Sequence, residues 1–283
     1  MWLTKAVDIS VSYPVHVVVY TVPSLRKPPV LLAQRRAICI VKLQTILRAT
    51  RADHGREGND IIVAMIATVI VLGTALGVTL VSLVLHEIMH GLVAHWLGDD
   101  TAKREGRLTL NPAPHIDPYL TIVLPALAIL ATASGTPMPI FGGAKPVPIN
   151  TKRLKGGDWG AALVALAGPL TNLVLAFICF IISRCLRIDQ ASLAGQLIGQ
   201  AEVINLSLFA FNLLPIPPLD GSRLLYAFAP PGARRVMDKM ERYGVAVVFL
   251  VVLLAGTIVS GLVINIARGA EGCFTVVAKW FGL

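Results

Sequence analysis

The sequence predicts an all-α polytopic membrane protein, a bundle of about five to six transmembrane helices with short membrane-associated β or extended loops. Three observations predict it. Hydrophobic residues make up 55% of the 283-residue chain and charged residues 14%, with a mean hydropathy of +0.72, whereas a soluble domain carries about 25% charged residues. Several apolar runs reach the roughly 20 residues that a helix needs to cross a bilayer. Those runs are long and unbroken, which argues against a closed barrel, the other structure able to span lipid.

The net charge of +9 does not point to nucleic acid. Residues 1–60 hold nine Lys/Arg against four Asp/Glu, and the later basic residues cluster in loops between apolar runs, as membrane topology signals do. The four cysteines, Cys39, Cys179, Cys185 and Cys273, form no CxxC pair and no disulfide framework. Three regions are expected: a basic tail over 1–60, a membrane domain over 61–266 and a short interfacial segment over 267–283.

Residues 1–60 are punctuated by Pro14, Pro23, Pro28 and Pro29 and lack the pattern of a signal peptide. Val15–Val22 has the composition of a short strand, and Leu31–Leu47 that of a basic amphipathic helix; a poorly ordered tail is the simpler expectation.

Ile61–Leu97 is the first membrane-length run. Continuous helix over its 37 residues would measure about 55 Å against a hydrocarbon core of about 30 Å. It must break near Gly73 or Gly77 or project beyond the membrane, and Gly98-Asp99-Asp100 stops it. Near its end lies His86-Glu87-Ile88-Met89-His90. With six His and six Glu in the chain, random placement gives HExxH about 0.003 times. Positions i and i+4 share one helix face, so His86 and His90 can grip one metal ion. Glu87 falls beside that ion, where a general base for an activated water belongs. An ionisable residue in such a run is costly and marks a functional site. The longer metzincin pattern is excluded, because Val93 and Trp96 stand where it needs Gly and His. His95 faces elsewhere and reads as structural.

Gly106–Pro112 alternates polar and apolar residues and predicts a short strand or hairpin at the membrane surface. His115 and Asp117 have ligand chemistry but sit in a Pro-rich segment that reads as a surface turn. Ile116–Thr132 is marginally long enough to span, or is re-entrant. Phe141–Asn150 contains Pro146 and Pro148 and predicts an extended loop. Gly160–Ile182 is the clearest span. Its Ala167-Gly168 suits close helix approach, and Asn172 either bonds a neighbouring helix or lines the site. Ala194–Leu214 is another span, with Glu202 and Asn205 near its start.

Catalytic zinc usually has three protein ligands and an open position. The segment Asn212-Leu213-Leu214-Pro215-Ile216-Pro217-Pro218-Leu219-Asp220-Gly221 offers the third. Its prolines unwind the end of a span, and Asp220 projects from the break. Glu202 is the rival, inside regular helix, and Glu105 lies in a charged, solvated loop. Tyr243–Ile266 is the last span, and Phe274, Val277 and Trp280 suggest an interfacial helix after it.

In this order, HEIMH, GRLTLNP, AKPVPIN, AGPLTN and NLLPIPPLDG closely resemble the motifs of the site-2 protease family of intramembrane zinc metalloproteases, in its compact prokaryotic form without PDZ or CBS domains. The resemblance covers about residues 62–265. It implies an endopeptidase that cuts transmembrane helices of membrane-protein substrates, in regulated intramembrane proteolysis, within a cell membrane it crosses several times. One Zn²⁺ per chain would be held by His86, His90 and Asp220. Glu87 would take the proton of the attacking water and pass it to the leaving amine. Asn172 and Asn212 match positions near the substrate, where they would help to stabilise an oxyanion. The loops at 106–112 and 142–150 would hold an unwound substrate by strand addition. The alternative function is a membrane metal-ion transporter using the same His/Glu/Asp cluster; a scaffold with a structural zinc is disfavoured by the count of three good ligands.

Loops 136–159 and 222–242 carry nine Lys/Arg, and loops 98–118 and 183–194 carry five. If 116–134 crosses fully, the positive-inside rule puts the first pair in the cytoplasm. The family resemblance instead implies a cytoplasmic loop after the HExxH helix, with 116–134 re-entrant.

Overall fold

The computed structural model describes residues 57–123 and 143–282. The expected tail over 1–60, save its last four residues, and most of the segment Ile116–Thr132 lie outside the described residues. So does the start of the loop expected over 141–150.

The first apolar run forms one helix, α1 (Glu57–Trp96). It does not break at Gly73 or Gly77, so its 40 residues extend to about 60 Å and one end projects beyond a bilayer. Its part long and apolar enough to cross is Gly73–Trp96. Gly98, at φ +102°, ends it: the Gly98 and Asp99 amides return to the carbonyls of His95 and Ala94. A single turn, α2 (Thr101–Arg104), follows.

Residues 107–112 form bends instead of the expected strand or hairpin. Side chains compete with a ladder here: the Asn111 amide donates to Thr109 Oγ1 at 3.2 Å, and the Ala113 amide to Asn111 Oδ1 at 3.1 Å. No strand forms among the described residues. A 3-10 turn (Ala113–His115) and a π-helical turn (Pro118–Val123) complete the segment.

Residues 143–150 run without regular structure, as the prolines dictate. Then comes α3 (Gly157–Cys185), which carries Pro169 inside it. Gly160, Ala162, Ala165, Ala167, Gly168 and Ala176 are buried along it, and these small side chains let neighbours approach closely. It packs against α1, against α4 (Leu193–Asn212) and against the short α5 (Gly221–Phe228). Ser192 caps α4 by accepting the Gly195 amide at 3.1 Å. The basic α6 (Pro231–Tyr243) leads into α7 (Val245–Trp280).

α7 departs from helical angles only at Ala255, then runs unbroken to Trp280. The helix expected separately after residue 266 is therefore continuous with α7. It is held there because Phe274 and Ala278 pack with Ala176 and Phe180 of α3 and Leu206 of α4. Three helices are long and apolar enough to cross a membrane among the described residues: α1, α3 and α7. Large apolar side chains on their outer faces, including Val69, Val81, Leu163, Val174, Leu254 and Ile258, are exposed, which suits contact with lipid chains.

Candidate active site

Two histidines of α1 and one aspartate beyond α4 converge inside the bundle. His86 Nε2 lies 3.0 Å from His90 Nε2 and 3.1 Å from Asp220 Oδ2; His90 Nε2 lies 3.4 Å from the same carboxylate oxygen. Both histidines are buried, and Asp220 is about one-fifth exposed. The helix period brings the two rings together, as the i, i+4 spacing predicts.

Asp220 arrives by a different route. α4 ends at Asn212, and the prolines at 215, 217 and 218 forbid its continuation. The chain turns tightly enough that a Cβ on Gly221 would lie 2.1 Å from the Leu213 carbonyl oxygen. Glycine is thus required for the turn that presents Asp220 at the start of α5.

The far sides of the rings are also held. His90 Nδ1 meets the Val164 carbonyl at 2.7 Å, and His86 Nδ1 meets Asn172 Oδ1 at 2.6 Å. A carbonyl only accepts, so His90 carries its proton on Nδ1 and turns a lone pair inward at Nε2. Two inward lone pairs and a carboxylate within 3.4 Å repel each other unless a cation lies among them. Ligands bound to zinc at 2.0–2.1 Å in tetrahedral directions lie about 3.3 Å apart. The donor set and its spacing therefore fit that ion. Gly168 of α3 supplies the space: a Cβ there would lie 2.4 Å from His90 Nε2 and 2.5 Å from His86 Nε2. Among the described residues, these three form the one group of metal-ligating side chains.

Glu87 stands beside the group, half-buried. Its Oε2 accepts the Val147 amide at 2.8 Å. In Pro146-Val147-Pro148 that amide is the one N–H, and it is given to Glu87. The loop is tied down in turn. The Asn150 amide donates to Asp99 Oδ2 at 2.6 Å, and Arg107 donates to the Lys145 carbonyl at 2.6 Å. Burial pushes the Asp99 carboxyl up, but the donors on Thr101 and Asn150, with Arg153 nearby, more than offset this and hold it below the usual carboxylate range.

None of the remaining sequence candidates joins the ligand group itself, although Asn172 touches it. Asn172 is fully buried with both ends of its amide engaged, to His86 and to Asn205 of α4. Asn212 is half-buried, and its amide donates to the Leu208 carbonyl at 3.1 Å. Glu202, the rival ligand, is buried on α4 outside the group. His95 pairs with Asp100 at 2.5 Å, and Glu105 is exposed. His115 is buried, not on the surface turn that its prolines suggested, and meets the Thr109 carbonyl at 3.1 Å. Sequence reasoning missed Gly168, Val147 and Asp99 as parts of the site. The motif AGPLTN contained a signal for Gly168, but helix packing accounted for it equally well.

A family model described as Peptidase family M50 matches residues 188–256, which include the segment bearing Asp220. "Putative zinc metalloprotease YwhC" of Bacillus subtilis is 41% identical over 182 residues, which cover 62% of this chain and 77% of that protein. "Putative zinc metalloprotease Rip2" of Mycolicibacterium smegmatis is 32% identical over 62% of this chain and 64% of its own length. Its namesake from Mycobacterium tuberculosis is 33% identical over 64% and 66%. The chain thus spans about two thirds of the mycobacterial relatives. No solved structure matches significantly.

The chain belongs to peptidase family M50, the site-2 protease family. It is by that membership a membrane-embedded zinc metalloendopeptidase, and His86, His90 and Asp220 form a group that could hold a metal ion.

Proposed function

We propose that this protein is an intramembrane endopeptidase that hydrolyses peptide bonds in the transmembrane helices of membrane-protein substrates, from within a cell membrane it crosses several times. One observation carries the reading: three ligand atoms lie 3.0–3.4 Å apart between helices long and apolar enough to span lipid.

When bound, zinc supplies Lewis acidity that makes water a nucleophile near neutral pH and steadies charge on a carbonyl oxygen. His86, His90 and Asp220 fix where that happens. Glu87 acts as the base. Its Oε2 is held by the Val147 amide, which leaves Oε1 to take a proton from the attacking water and return it to the departing amine nitrogen. In this reading Asn212, half-buried where α4 ends, turns its amide from the Leu208 carbonyl to the carbonyl oxygen under attack. Residues 143–150 run beside Glu87 and expose Lys145 and Pro146, which suits them to lie along an unwound substrate. Phe211, Leu214, Ile216, Leu219, Val248 and Val251 form an apolar seam between the proline segment and α7.

The test is Glu87→Gln in proteoliposomes with a reporter transmembrane helix. Zinc content stays at the wild-type level and cleavage falls by about 10²–10⁴-fold. Undiminished cleavage would remove Glu87 from the mechanism. A wild-type chain that moves zinc across the bilayer and cuts nothing would instead establish the transporter.

A further inference from the structure

The hydrogen bonding behind His86 continues past Asn172. The Asn172 amide nitrogen donates to Oδ1 of Asn205 at 3.0 Å. Asn205 lies on α4, is 3% exposed, and donates its own amide nitrogen to the Ala201 carbonyl at 2.9 Å. That backbone carbonyl can only accept, so it decides which end of the Asn205 amide faces α3. The accepting end, Oδ1, is left for Asn172. Asn172 must then donate toward α4 and turn its own Oδ1 to His86. With an acceptor at 2.6 Å, His86 keeps its proton on Nδ1 and presents a lone pair at Nε2, the atom that faces His90 and Asp220.

We propose that Asn205 is a positioning residue of the metal site: acting through Asn172, it sets the tautomer of His86. The proposal rests on the metal-site reading above. The two ends of an asparagine amide have nearly the same shape, so packing alone does not tell them apart. Without Asn205, a half-turn of the Asn172 amide presents its NH₂ group to Nδ1. The imidazole then accepts there and carries its proton on Nε2, where ligation is blocked. α4 therefore contributes to the centre twice, by presenting Asp220 beyond its end and by orienting His86 from its middle.

The test compares zinc affinity, by chelator competition on purified folded protein, with the unfolding temperature of the metal-free chain. Asn205→Leu and Asn205→Ala both delete the accepting oxygen, so either folded variant suffices. Zinc affinity falls by about 10–100-fold, as for loss of other groups that orient a ligand histidine. Asn172→Asp keeps an acceptor on His86 Nδ1 and has no donor end to misplace. In the Asn172→Asp background, Asn205→Leu therefore weakens zinc binding by less than about 3-fold. A purely interhelical role for Asn205 would lower the metal-free unfolding temperature and leave zinc affinity within about 2-fold of wild type, which overturns the proposal. An equal loss of affinity in the Asn172→Asp background overturns it too. If the wild-type chain binds no zinc while His86→Ala behaves identically, the metal-site reading itself has failed.

Discussion

A Cβ on Gly168 would stand within 2.5 Å of the inward nitrogens of both histidines, in the space a shared ion needs. Gly168→Ala is therefore expected to weaken zinc binding by at least about 100-fold, beyond what is usual for groups behind the ligands. The fold should survive, because alanine favours helix over glycine by about 1 kcal/mol and two imidazoles can swing aside. Chelator competition and circular dichroism of the variant check the two halves of this expectation. An alanine variant with wild-type zinc affinity would place the ion elsewhere. Glu87 shows the same economy at residue scale, since one amide from a proline-flanked valine holds one of its oxygens and leaves the other for proton transfer.

Among the elements, the loop over 143–155 depends most on a single side chain. Asp99 is fully buried and receives the amides of Thr101 and Asn150 and the Thr101 hydroxyl. It thereby ties the loop that reaches Glu87 to the end of α1. Its carboxyl titrates below the usual range when folded. Its contribution to stability is thus complete above the unfolded value of about 3.9 and is lost as pH falls through the lower folded value. Asp99→Asn is expected to cost about 1–3 kcal/mol at pH 7, the penalty for a buried donor left unpaired. The difference from wild type should hold from pH 8 to about 5 and shrink in stronger acid. Thermal unfolding of both metal-free proteins in detergent, across that range, measures it; a difference that grows in acid would contradict the assignment.

For the whole molecule, the ligands join the end of α1 to the α4–α5 link, with His86 and Asp220 134 positions apart. A metal held there binds the folded chain and not the unfolded one. Zinc at 100 times its dissociation constant should add about 2.7 kcal/mol of stability. Removing it with a chelator should lower the unfolding temperature, and re-adding zinc should restore it. His86→Ala should unfold at the same temperature with and without zinc. A wild-type protein whose unfolding ignores zinc would show that the three residues hold no ion.

Much of this was legible in the chain itself. Unbroken apolar runs determined the membrane-length helices, because lipid leaves the backbone no partner outside its own helix. The four-residue spacing of His86 and His90 determined their shared face, because the helix period is local. The prolines before Asp220 determined that α4 must end there. Other features depended on distance. That α7 continues to Trp280 follows from the α3 and α4 side chains packed against its end and not from propensity. The strand expected at 106–112 gave way to side chains bonding their own backbone. Val147 on Glu87, Asn205 behind Asn172 and Gly168 under both histidines are contacts between segments 33 to 82 positions apart. No local period encodes such contacts, because a hydrogen bond or a steric limit between two helices exists only once both have been packed.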